Sequence, residues 1–169
     1  ICFSSLLFVS CTDLEEEVLD GTKLEEAATN YAKNSEDAAT LLNSAYTSMR
    51  TPYQDQARLM ALDLMPTDAM VGPTRGGDWD DAGVWRQLHT HTFGPTHGFN
   101  KDTYNDVYNA VNSANLVIGS STATPEQVAQ ARFLRALHYY HIIDLWGSAA
   151  YREIGSDTNA DALVYPRNE

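Results

Sequence analysis

Apolar residues return at helical spacing along several stretches of the chain, and the clearest runs from Thr124 to Gly147. Ala131, Leu134, Ile142 and Leu145 follow the 3.6-residue period, and Phe133, Leu137, Tyr140 and Trp146 widen the apolar surface beyond one stripe. The ends are marked as well: Thr124 as N-cap, Pro125 at the first helical position, Gln127 completing a capping box, and Gly147 supplying the left-handed stop. A helix apolar on more than one side must be packed from more than one side, so the rest of the domain is expected to wrap it.

Three further patterns precede it. After a cap at Asn34 or Ser35, Ala38, Leu41, Leu42, Ala45, Tyr46 and Met49 form one continuous stripe. A second helix is expected from Tyr53 to Met65, on Ala57, Met60, Ala61 and Leu64, stopped by Pro66. A third runs from Lys101 to Ile118 with Tyr104, Val107, Tyr108, Val111, Asn115 and Ile118 inward, Asn115 serving as a buried hydrogen-bonding post. Only Gly119–Ala123 separates this helix from the next, so the two are expected to pack antiparallel. The pattern fails elsewhere. Residues 66–100 hold six of the ten glycines and Pro66, Pro73 and Pro95, which reads as one long irregular loop. Trp79, Trp85, Phe93 and Phe99 argue against disorder there, and ordered loops of that length are usually functional. The chain past Gly147 reads as polar and irregular.

Charge and cysteine use narrow the function. With 23 acidic against 11 basic residues the formal charge is −12, which disfavours nucleic acid and anionic lipid headgroups as partners. The two cysteines, Cys2 and Cys11, lie at the N-terminal end without a C-x-x-C spacing, so neither thiol redox chemistry nor a cysteine zinc site is expected. Residues 1–10 are uncharged, mostly apolar and too short to span a bilayer, as in the apolar part of a signal peptide. Residues 11–33, with Asp13 and Glu15–Glu17 near their start, read as an acidic tether. The domain proper is expected over residues 34–169, and the chain, opening on Ile1, reads as a fragment at both ends.

These patterns carry a resemblance. The run ARFLRALHYYHIIDLWG resembles the signature helix of the SusD/RagB family, matching at Ala131–Ala136, Tyr139, Tyr140, Trp146 and Gly147. EDAATLLNSAYTSMR resembles the family's first helix, and Tyr104, Tyr108, Val111, Ala114 and Asn115 are similar to the helix between, with Tyr104 where Trp is usual. Leu7–Cys11 resembles a bacterial lipobox, with Phe8 in place of the usual Leu, which would make Cys11 the lipidated residue. The resemblance implies an all-α, tetratricopeptide-like antiparallel helix array, incomplete here. It also implies an outer-membrane, lipid-anchored, surface-exposed protein that captures oligosaccharides for a TonB-dependent (SusC-like) transporter. No 34-residue repeat is visible, so the superhelical expectation rests on the resemblance alone.

Recognition chemistry is expected in the 66–100 loop. Sugars present apolar C–H faces and rings of hydroxyls, which call for aromatic platforms flanked by carboxylates, amides and guanidinium groups. Trp79, Asp80, Asp81, Trp85, Arg86 and Asn100 supply that set, although both tryptophans could instead anchor the loop's own core. His89, His91 and His97 with Asp78, Asp80 and Asp81 could ligate zinc or calcium, but H-x-H is a weak signal and the ordered spacing of an EF-hand is missing, so neither a metal nor a cofactor is expected. No G-x-S-x-G, H-E-x-x-H or phosphate-cradling glycine loop occurs. His138 and His141 read as packing or edge residues and Arg132 and Arg135 as partners of local acids or helix carbonyls, so no enzyme is expected. A helical-repeat adaptor for a protein or peptide is the alternative.

Overall fold

The computed structural model describes residues 37–73, 77, 80–156 and 161–168. The signal-peptide segment, Cys11, the acidic tether and the proposed caps Asn34 and Ser35 lie outside them. Helix α1 spans Ala38–Ser48, and its N-cap is Asp37, whose carboxylate accepts the Ala39 N–H at 2.9 Å. The cap thus falls two residues or more later than expected, at an acidic residue suited to the positive end of the helix dipole.

The expected helix from Tyr53 to Met65 is two short ones, α2 at Arg50–Gln54 and α3 at Leu59–Leu64. Asp55 breaks them. Its backbone is extended, and its side chain accepts the Ala57 N–H at 2.9 Å, the local competition with helix at which Asp excels. Arg58 then reaches away from both helices, its Nε donating to Asp106 at 2.6 Å.

A short 3₁₀ turn at Asp81–Gly83 leads into α4, Val84–His89, so the loop is less irregular than its glycines imply. Helices α5, Gly98–Ile118, and α6, Pro125–Trp146, form the long pair. They are antiparallel: Asn115 pairs with Arg135 near the connecting turn, and Asn100 pairs with Trp146 at the far end. The ends of α6 match expectation. The Thr124 hydroxyl accepts the Gln127 N–H at 3.2 Å while Gln127 accepts the Thr124 N–H at 2.8 Å, and Gly147 takes φ 72°. Such a cap is worth about 1 kcal/mol.

Past Gly147 the expected irregular tail is instead a two-stranded antiparallel ribbon, β1 at Ser148–Tyr151 and β2 at Leu163–Pro166, with Ser148 opposite Pro166 and Tyr151 opposite Leu163. Its attachment is specific. Ala149 is buried with Val107 and Ile142, and the Ala150 N–H donates to the Tyr108 hydroxyl at 2.8 Å. Arg167 donates to the carbonyls of Ile143 and Asp144 at the end of α6, the first of which also accepts the Gly147 N–H.

Three apolar clusters hold these elements. Leu41 and Ala45 of α1 meet Val117 of α5 and Ala131 and Leu134 of α6. Leu59, Val107, Val111 and Ile142 form the second cluster with Ala149, and Ala61, Met65, Trp85 and Leu88 form a third beneath the loop. The all-α expectation is met, the small ribbon aside. One face departs from it: Phe133 is 66% exposed and Tyr140 63%, so α6 is not enclosed on every side among the described residues. Arg135 also differs from expectation. It donates to the Asn115 side chain at 3.1 Å and lies 6.0 Å above the Tyr151 ring, a cation–π contact in place of an acid or a helix carbonyl. Asn115 is the half-buried hydrogen-bonding post expected of it.

Candidate functional site

The segment between α3 and α5 stands on its own small core. Trp85 is 3% exposed, packs edge-on against Phe99 with ring centroids 4.6 Å apart, and donates its indole N–H to Asp81 at 2.7 Å. Gly72 admits this packing, because a Cβ there would stand 2.7 Å from that of Trp85. Asp81 and Ala82 both have positive φ, 38° and 55°, and Gly83 follows at 81°. Left-handed conformations in non-glycine residues cost about 1–3 kcal/mol each and persist where the surroundings overdetermine them. Here the Trp85–Asp81 bond and the bond from the Gly83 N–H to the Asp80 carbonyl hold the turn.

Above that turn lies an open cleft of about 500 Å³, lined by Asp80, Ala82, Gly83, Arg86, Gln87, Thr90 and Thr92. Arg86 crosses it, donating to Asp80 at 3.0 Å with both side chains about half exposed. The described lining thus offers a carboxylate, a guanidinium, an amide and two hydroxyls, a set that can donate to and accept from a polyol. The Thr90 hydroxyl donates to the Arg86 carbonyl at 2.8 Å and lies 3.0 Å from that of Thr92.

The six residues singled out from the sequence separate on this geometry. Asp80 and Arg86 line the cleft, and Asp81 supports its wall. Trp85 is beneath it, so the platform expected there is corrected: burial covers its faces, and it is the loop-core anchor. Asn100 is not among the residues that line the cleft; its amide oxygen accepts the Trp146 indole N–H at 2.8 Å in the seam between α5 and α6. Trp79 lies outside the described residues. Gln87, Thr90 and Thr92 were missed, and the helical offsets from Arg86 to Gln87 and Thr90 become a signal only once α4 is known to exist.

Two of the three histidines of this segment, His91 and His97, are engaged with the backbone. His91 Nε2 lies 2.7 Å from the Pro66 carbonyl, and the buried His97 places Nε2 3.1 Å from that of Val84, its ring against Phe93 and Phe99. Among the described residues no three His, Cys, Asp or Glu side chains gather closely enough to hold a metal ion.

No family profile and no solved structure matches the chain. Among curated proteins it is similar to SusD-like protein P2 of Formosa agariphila, with 26% identity over 174 aligned residues that take in 97% of this chain and 33% of that protein. SusD-like protein P25 of the same organism is 34% identical over 58 residues, 30% of this chain and 11% of that protein. The chain therefore spans about a third of the length of the first relative and about a tenth of the second. The likeness to P2 runs through α1, α5 and α6, the helices that carry the EDAATLLNSAYTSMR and FLRA segments, and it accompanies the mostly helical architecture those segments imply. On these grounds the chain is similar to SusD-like proteins along nearly its whole length, which supports the SusD/RagB assignment that its motifs imply.

Proposed function

We propose that this chain is part of a non-catalytic, outer-membrane lipoprotein that captures oligosaccharides at the cell surface and passes them to a TonB-dependent, SusC-like transporter. The observation that carries the reading is the likeness to SusD-like protein P2 along nearly the whole chain. The cleft beside α4 supports it, being open, polar and rich in groups that pair with hydroxyls rather than closed around a reacting atom. Asp80 is held by Arg86, which suits a binding carboxylate.

Affinity electrophoresis of the full-length protein through gels containing starch, xylan, galactomannan, laminarin, alginate or dextran sulfate tests glycan capture. At least one polysaccharide should retard the protein, and an Asp80→Ala/Arg86→Ala double variant should bind it about tenfold more weakly, as for the loss of one or two net hydrogen bonds. Migration unaltered in every gel would sink the glycan reading. The exposed Phe133 and Tyr140 on α6 favour the second reading, a helical adaptor for a peptide, which predicts that outcome.

Membrane attachment is assigned to Cys11, because two or more acyl chains anchor a protein stably and one does not. Among the described residues no helix is long and apolar enough to cross a membrane. Full-length protein should take up labelled palmitate and fractionate with outer membranes, and Cys11→Ala should do neither. Continued labelling of Cys11→Ala would remove the anchor from that position.

A further inference from the structure

A second cleft, of about 620 Å³, opens on the other side of the last turn of α4, between Pro66–Asp68 and His89–His91. Thr90 lines both clefts, so they meet along one polar surface. We propose that this second cleft is a further sugar subsite, taking one unit of an uncharged, hydroxyl-bearing glycan whose neighbouring unit lies beside Asp80 and Arg86. This rests on the glycan reading above.

The hydrogen-bonding capacity left over in the cleft selects the ligand. Its hydroxyls are committed: Thr67 donates to the Leu64 carbonyl at 2.7 Å and accepts the Ala69 N–H at 3.1 Å, and Thr90 donates to the Arg86 carbonyl. A carbonyl can only accept, so His91 donates from Nε2 to Pro66, and in the neutral ring Nδ1 remains as an acceptor. The left-handed backbone of His91, φ 56°, sets the ring in that position. Asp68 makes no hydrogen bond or ion pair among the described residues, and His89 Nδ1 is shielded from water without a partner. The described lining therefore offers the His91 Nδ1 acceptor and a carboxylate that is unpaired among the described residues. A sulfate or uronate would meet Asp68 with no guanidinium or ammonium among the described lining residues to offset it, and Arg86 next door is already engaged by Asp80. A sugar hydroxyl can donate to the Asp68 carboxylate and to His91 Nδ1. Metal coordination is disfavoured by the lack of a three-ligand group among the described residues.

The test uses full-length protein and the uncharged polysaccharide that retards it most, with oligosaccharides cut from that polysaccharide titrated by calorimetry. Asp68→Ala/His91→Asn is the variant pair, Asn being tolerant of a left-handed backbone. Disaccharide and longer chains should lose about tenfold in affinity, while monosaccharide binding and melting temperature stay at wild-type values. If the double variant bound every chain length as wild type does, the subsite would be overturned and the glycan reading would stand. Preferential wild-type binding of alginate or dextran sulfate would overturn the uncharged class, and failure of the wild type to bind any glycan would overturn both readings.

Discussion

Truncating Trp85 to alanine is expected to lower the unfolding free energy by about 3–5 kcal/mol, the range for emptying a buried tryptophan site. The side chain is 3% exposed among Ala61, Met65, Leu88 and Phe99, and none of these short elements can collapse into the void without undoing the turn at Asp81–Gly83. Trp85→Phe keeps most of the volume but loses the indole bond to Asp81, and should cost about 1–2 kcal/mol. Urea denaturation of the full-length variants checks both, with hydrogen exchange over residues 61–99 to localise the effect. Glycan retention separates a core anchor from a sugar platform: Trp85→Phe should bind as wild type does. A Trp85→Ala protein of undiminished stability that had lost glycan binding would restore the platform.

That result bears on why the loop was the least legible part of the chain. Six glycines and three prolines hide α4, because a six-residue helix is shorter than the window in which a 3.6-residue period can be counted. Val84, Trp85 and Leu88 do fall at helical offsets, and Gly83 before them supplies the left-handed N-cap, but each signal has meaning only beside the others. The ribbon escaped for a similar reason. Its strands are four residues each, and their pairing across an intervening segment is non-local. Asp55 splitting one expected helix into two could have been read as a side chain competing for backbone N–H groups, had the apolar stripe not been allowed to outweigh it.

Helix α6, by contrast, was legible to the residue at both ends. Capping box, proline and terminal glycine are local devices whose chemistry does not depend on what packs nearby. Its environment was less legible. Periodicity placed Ala131, Leu134 and Ile142 in the core but could not tell that Phe133 and Tyr140 remain exposed while His138, between them, is wholly buried. The cleft followed the same division. Asp80 and Arg86 were found by residue type, whereas the burial of Trp85 and the engagement of Asn100 by Trp146 depend on long-range packing.

Acid should loosen this fold through His138. Its ring is 0% exposed, Nδ1 lies 3.4 Å from the Tyr53 hydroxyl, and Nε2 has no partner among the described residues. Burial, then the charge of His141, pushes its pKa down from 6.5 to about 4, and burial holds the Tyr53 phenol at about 12, so the hydroxyl keeps its proton to donate to the imidazole. Between pH 6.5 and 4 the unfolded chain binds the proton and the folded chain does not, so stability is fully present above that window and falls as pH drops through it. With about 1.36 kcal/mol per pH unit, the loss by pH 4 is about 3 kcal/mol. Asp63 acts in the opposite sense: burial raises its pKa, His141 lowers it and Asp144 raises it, so its net upward shift favours the folded state as pH falls. Urea midpoints of wild type and His138→Leu, compared at pH 7.5 and pH 4, isolate the histidine because the carboxylates titrate in both proteins. His138→Leu should be less acid-sensitive than wild type by about 3 kcal/mol; at neutral pH it removes Nε2, which has no partner among the described residues, but also the acceptor of the Tyr53 hydroxyl, so the two proteins should differ there by no more than about 1 kcal/mol. Equal acid sensitivity in the two proteins would show that His138 takes up its proton without disturbing the packing of α2 against α6.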